Sequence, residues 1–391
     1  MGRVRVVILL GVLGLLWLPG SALATQRVPR GFVGMMADGP LFDPAVNLSG
    51  QFDRMVKSGV QSLRVAFNWN LAQPYARWSQ IPRRDRKHFS RGQGGVPTNF
   101  YATDRIVTRA ARYGLSLLPV VTYAPAWDGS ASGNHLQPAH DAPYARYLTI
   151  LVKRYGPHGS FWASHRWLRR QPITSWQIWN EPDLAHNWNT TPFAPSYVKL
   201  LGVAHRAIKR ADPTAQVVLA AMTNYGWTHL ESIYSIPGSR RLFDVATCNA
   251  YASEPTGVIA NLTKFREVMD THGDRHKPLL ATELGWPSAL GKTSLDFGIN
   301  TTEQGQAKKL SALLPLLAKN RHRLRLAGFY YYTWLTADPR NASPFAYSGL
   351  LRFHKANSRI STKPAYFAFR RAALKLEGCN RGRSKHHACR A

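Results

Sequence analysis

Trp176-Gln177-Ile178-Trp179-Asn180-Glu181-Pro182-Asp183 is a short apolar run that ends in an amide and a carboxylate. Pro182 has no amide proton, so a strand ladder stops there. Leu279-Leu280-Ala281-Thr282-Glu283-Leu284-Gly285-Trp286 has the same construction, with Gly285 giving the backbone a tight exit. Both read as buried strands carrying a carboxylate at the C-terminal end.

Outward from these two, six further runs have the same character. The eight predicted strands lie near 31–36, 61–69, 115–122, 173–179, 216–221, 243–250, 278–282 and 327–333. They are short and rich in Val, Leu and aromatic residues, as strands buried on both faces should be. Helical stretches fall between them, at 102–113, 144–155, 195–211, 257–272, 303–318 and 363–376. Asp104 suits the N-terminal turn of the first, and Gly114 suits its end. Eight strands, most followed by helical sequence, give the α/β class and a single (β/α)8 TIM barrel. An open doubly wound sheet is the runner-up, but no Gly-rich phosphate loop follows an early strand. The loops at 71–99, 124–142 and 182–191 are long and irregular, and in a barrel they form the rim around the site.

The chain has 391 residues, 45% hydrophobic and 18% charged, enough for a large core and too apolar for disorder. Arg3 and Arg5, the apolar run 6–18 and Ala22-Leu23-Ala24 predict a secretory signal peptide cut after Ala24. The apolar run is short for a span, and no other stretch is apolar enough for one. The expected organisation is therefore a signal peptide over 1–24, a barrel over 25–377 and a basic tail over 378–391. Export permits a disulfide between Cys379 and Cys389, while Cys248 reads as a buried thiol. The protein is expected outside the cell or at the wall, and as a monomer.

Lys and Arg number 51 against 21 acidic residues, a net charge of +30. Such a surface associates with polyanions. Export argues against nucleic acid as the partner and toward an anionic cell wall or acidic matrix polymer, although a merely solvated basic surface reads equally well.

With so few acidic residues, carboxylates at strand ends stand out. Two of them facing one bond can split acid and base duties: one donates a proton to a leaving oxygen, the other attacks carbon or activates water. Asp38, Asp128, Asp183, Glu254 and Asp338 also fall near strand ends, and as a class read as loop caps or surface charges. Fourteen histidines form no metal-binding helix motif, and His135 and His140 in one loop read as solvated or substrate-adjacent. No metal or organic cofactor is expected.

Asn180-Glu181-Pro182 after the fourth strand, with Thr282-Glu283-Leu284-Gly285-Trp286 after the seventh, resembles the clan of retaining glycosidases that keep acid/base and nucleophile on those strands. Within it the pattern is most similar to glycoside hydrolase family 39 and relatives near family 5, which include β-xylosidases, endoglucanases and matrix-polysaccharide hydrolases. The resemblance runs over about 31–376. It implies an oligo- or polysaccharide substrate, Glu181 as acid/base and Glu283 as nucleophile. It further implies that Asn180 holds the 2-hydroxyl, Arg64 and Tyr251 sit against Glu283, and Trp334 forms a platform under the sugar. Trp127 and Trp286 are candidates for further subsites. An arginine and a tyrosyl hydroxyl would favour the ionised form of Glu283, and burial beside that charge would keep the proton on Glu181. Relatives often carry His two residues before the strand-six tyrosine; Asn249 stands there in this chain, and an amide does not titrate. The alternatives are a sugar- or wall-binding barrel without catalysis, and a basic anchor to an anionic matrix.

Overall fold

A computed structural model describes Gly2 and residues 28–91, 95–129, 137–223 and 225–377. The expected signal peptide (Gly2 aside), His135, Cys379, Cys389 and the basic tail lie outside the described residues.

The eight expected strands are present. They are β1 (Val33–Ala37), β2 (Ser62–Asn68), β3 (Ser116–Thr122), β4 (Ser175–Ile178), β5 (Gln216–Val218), β6 (Ala246–Asn249), β7 (Leu279–Leu284) and β8 (Leu326–Tyr331). They pair in parallel in the order β5-β4-β3-β2-β1-β8-β7-β6. A parallel bridge between Val218 and Val245 brings β5 to the approach of β6 and closes the barrel. The main helix after each strand is α1 (Leu48–Val56), α2 (Tyr101–Tyr113), α3 (Asp141–Tyr155), α4 (Phe193–Ala211), α5 (Gly226–Tyr234), α6 (Pro255–Thr271), α7 (Glu303–Leu324) and α8 (Pro364–Leu376). This is a (β/α)8 barrel.

Local chemistry accounts for several boundaries. Asn47 caps α1, its side chain accepting from the Gly50 amide at 3.0 Å. Gly114 ends α2 in the left-handed region at φ 68°, as expected. Asp104 lies in the first turn of α2 and pairs with Arg154 at the end of α3. Helices α1 and α5 were not expected from the sequence. Nor was the small sheet after β8, formed by β9 (Leu335–Thr336), β10 (Leu351–His354) and β11 (Arg359–Thr362).

Most apolar side chains form one continuous core. A separate cluster joins Leu118, Val218, Val245 and Tyr330, with Leu280 against it. These residues come from different staves and touch one another, so they fill the barrel interior. Cys248 is buried, as expected. Among the described residues no helix is long and apolar enough to cross a membrane.

Candidate active site

At the C-terminal end of the strands a cavity of about 640 Å³ opens, and Asn180, Glu181 and Glu283 are among the residues that line it. Glu283 is the fifth residue of β7 and is buried. Arg64 Nη1 donates to its Oε1 at 2.6 Å, and the Tyr251 hydroxyl donates to its Oε2 at 3.0 Å. Both oxygens therefore have a donor, one of them charged. Beyond Gly285, β7 passes so close to β8 that a Cβ on Gly285 would sit 2.6 Å from the Tyr332 carbonyl oxygen.

Arg64 on β2 is 1% exposed, so its charge must be satisfied inside the protein. Its Nε donates to Gln177 Oε1 at 2.8 Å and its Nη2 to Asn180 Oδ1 at 2.7 Å, beside the ion pair with Glu283. Gln177 in turn donates to the Leu219 carbonyl at 3.2 Å. One guanidinium thus ties β2, β4 and β7 together. Because Asn180 Oδ1 accepts from Arg64, the amide nitrogen of Asn180 is the end left for a ligand.

Glu181 follows β4 where the chain turns sharply: Trp179 has φ 70° and Glu181 φ 48°. Non-glycine residues hold that left-handed conformation only where the surroundings impose it, and such positions gather at functional sites. The Glu181 amide donates to the Ala221 carbonyl at 2.8 Å, which anchors the turn on the segment after β5. Its carboxyl accepts from amides: Asn249 Nδ2 at 2.7 Å and, more weakly, Asn187 Nδ2 at 3.5 Å. The Thr282 hydroxyl donates to Asn249 Oδ1 at 3.0 Å, which fixes the direction of that amide. Burial pushes the Glu181 carboxyl up to about 8, reinforced by the charges of Glu283 and Asp183 and only partly offset by Asn249 and Arg64.

The structure brings Glu181, Glu283, Asn180, Arg64 and Tyr251 together. Asn249, paired in register with Glu283, directs its amide to Glu181. One expected sugar contact is corrected. Trp334 is fully buried, donates from its indole nitrogen to Gln51 of α1 at 3.0 Å and packs edge-on against Tyr366 of α8. The reason is that the backbone leaves the barrel after β8: the Leu350 and Leu351 amides donate to the Thr333 and Trp334 carbonyls, which carries Trp334 away from the cavity. Tyr332 lines the cavity instead. Trp127 is half-buried, donates to the Gln73 carbonyl at 2.7 Å and packs edge-on against Trp69; it is not among the residues that line this cavity. Trp286 is buried and donates to the Ala252 carbonyl.

Of the weaker candidates, Asp38 enters the cavity wall at the end of β1. It accepts from the Thr333 hydroxyl at 2.5 Å, and burial pushes it up to about 6. The others fasten loops: Asp128 pairs with His140, Asp183 accepts from the Thr223 amide, Glu254 pairs with Lys309 and Asp338 with Lys363. Gln177 and Tyr332 were not singled out from the sequence. A glutamine within an apolar strand, and an aromatic directly after one, were the available signals.

No family model matches the chain, and no curated protein does. Solved structures are similar in fold. A family 39 glycoside hydrolase from the gut symbiont Bacteroides cellulosilyticus is 18% identical, with a TM-score of 0.62 over 90% of this chain and 64% of that one. A glucosidase from Croceicoccus marinus is 17% identical, TM-score 0.61, over 89% of this chain and 68% of that one. A monomeric β-xylosidase from Caulobacter crescentus is 17% identical, TM-score 0.59, over 88% and 68%. This chain therefore spans less than two thirds of the first of these and little more of the other two. At such identities what is shared is the fold.

Proposed function

We propose that this protein is a retaining β-glycosidase that hydrolyses O-glycosidic bonds of oligo- or polysaccharides by double displacement. The observation that carries the reading is the unlike setting of two carboxyls in one cavity. Glu283 is ion-paired to Arg64, whereas Glu181, among the described residues, accepts only from amides and holds its proton to about pH 8. Opposite environments for two neighbouring carboxyls assign acid and nucleophile. Structural neighbours described as glycoside hydrolases support the same reading.

In this mechanism Glu283 attacks the anomeric carbon while Glu181 passes its proton to the departing oxygen. The bond to the leaving group breaks and a glycosyl ester forms on Glu283. Glu181, now a carboxylate, takes a proton from water, and that water oxygen displaces Glu283. Arg64 and Tyr251 hold the Glu283 carboxylate in place for attack. Asn180, fixed by Arg64, presents its amide nitrogen to the hydroxyl next to the reacting carbon. Tyr332 and Asp38 contact the same sugar from β8 and β1. The enzyme acts after export, outside the cell or at the wall, where its positive charge holds it near anionic polymers.

The test is release of reducing ends from a panel of β-linked polysaccharides and aryl glycosides by the wild type and Glu283→Gln. Turnover by the wild type alone supports the reading and names the sugar. Equal behaviour of the two proteins on every substrate counts against it and favours a barrel that binds sugar without cutting it.

A further inference from the structure

The cavity extends beyond the two carboxyls. Its wall continues onto the first turns of α2, with Tyr101 and Arg105 contributing, and onto Phe42 and Leu48, the first residue of α1. Tyr101 and Arg105 stand four residues apart on α2, which places them on one face of that helix. Tyr101 is 70% exposed and lines the cavity, so its ring is open to a ligand there. Arg105 is half-buried, and its side chain makes no hydrogen bond or ion pair among the described residues. The arginines that serve the fold are different: Arg154 is bound to Asp104, Arg240 to Asp274 and Arg352 to Asp338.

The same cavity carries three carboxyls at strand ends, Asp38, Glu181 and Glu283, of which Glu283 is paired to Arg64. An acidic sugar seated there would meet Asp38 and Glu283 at close range, and like charges in a cavity of low dielectric repel strongly. An acidic group further along would meet Arg105, whose planar fork matches a carboxylate or sulfate. The exposed ring of Tyr101 offers the apolar face on which a pyranose stacks.

The geometry points to a second subsite, formed by Tyr101 and Arg105, that binds an anionic sugar unit of the glycan while a neutral unit occupies the carboxyl end of the cavity. The inference deepens the proposed glycosidase reading and rests on it for the placement of the neutral unit. It names the substrate class: a β-linked glycan with uronate or sulfate groups spaced between neutral residues.

The test is a binding measurement with Glu283→Gln protein, so that no turnover is needed. The probes are paired oligosaccharides of one backbone: xylo-oligosaccharides with and without a glucuronate branch, cello-oligosaccharides with and without C6 oxidation, and a sulfated chain beside its desulfated form. The expected result is a preference for at least one acidic member of about tenfold or more over its neutral twin. Adding Arg105→Ala should abolish the preference, Arg105→Lys should keep part of it, and Arg105→Glu should reverse it. Which pair responds distinguishes carboxylate from sulfate. Arg84, 86% exposed on its side chain and not among the residues that line the cavity, is the control for general surface charge. Loss of the preference in Arg84→Ala as great as in Arg105→Ala overturns the inference. So does the absence of any acidic preference, including absence of binding to the whole panel. An Arg105-dependent preference in a protein whose wild type cleaves nothing would support the subsite and sink the hydrolase reading alone. Cleavage without the preference would do the reverse.

Discussion

Asn249 and Tyr251 leave the end of β6 two residues apart and reach different carboxyls: Asn249 donates to Glu181 at 2.7 Å, Tyr251 to Glu283 at 3.0 Å. One strand end therefore spans the gap between β4 and β7 and sets both carboxyls against a common space. The pairing also separates their chemistry, since a neutral amide serves one group and a phenol joined by an arginine serves the other.

Tyr251→Phe removes one donor from Glu283 and leaves the ring packing against Phe345. A hydrogen bond to a charged group contributes about 1.5–3 kcal/mol. The expected outcome is a fall in kcat/KM of roughly ten- to a hundredfold, with a lowered Tm because the same bond is lost from the ligand-free fold. Steady-state kinetics beside a melting curve checks it.

Glu181 must carry its proton to act as acid, so kcat/KM should fall as pH rises through about 8. Removing the neighbouring charge with Glu283→Gln should lower the titration point of Glu181, because that charge is one of its upward causes. NMR titration of the Glu181 carboxyl in wild type and variant reads the shift. An unchanged titration point would contradict the coupling.

The same shift makes a stability claim of defined sign. In the folded protein Glu181 keeps its proton from its ordinary 4.5 up to about 8, so the folded state binds more protons across that window. Stability contributed by this site is then lost as pH rises from about 4.5 to 8. Glu181→Gln should therefore raise Tm most above pH 8 and hardly at all below pH 4.

Arg64→Ala would leave Glu283 buried without its counter-charge and Gln177 and Asn180 without their shared donor. Breaking a buried pair costs about 3–5 kcal/mol. Chemical denaturation should show that loss together with loss of turnover. Arg64→Lys should recover much of the stability and little activity, because a lysine cannot reach three acceptors in a plane.

Trp334→Phe should cost about 1–3 kcal/mol of stability, since Gln51 loses its donor inside the core, and leave KM within about twofold. Tyr332→Ala should raise KM instead. The opposite pattern would restore Trp334 to the sugar site.

The barrel and the central carboxyls were legible because each rests on local signals. Apolar runs mark the strands, and a carboxylate followed by Pro182 or Leu284-Gly285 marks a strand end. Arg64 and Tyr251 were legible only through the resemblance, since nothing local says which carboxyl they face. The Trp334 expectation failed because a residue just past β8 can continue along the barrel or leave it. The pairing of β9 with β10, made by residues some fifteen positions later, takes it out. The role of Asn249 was hidden for a similar reason: the Thr282 hydroxyl on β7 orients it, a contact between strands. Helix α5 opens on Gly226 against Phe265, a close approach that a periodicity argument does not register.

The most direct test of the central claim is the anomeric configuration of the first sugar released from a β-aryl glycoside, followed by proton NMR before mutarotation. The β anomer is expected, with azide converting Glu181→Ala turnover to the β-glycosyl azide and Glu283→Ala turnover to the α form. An α anomer from the wild type, or wild-type turnover by Glu283→Ala, would contradict the assignment of Glu283 as nucleophile.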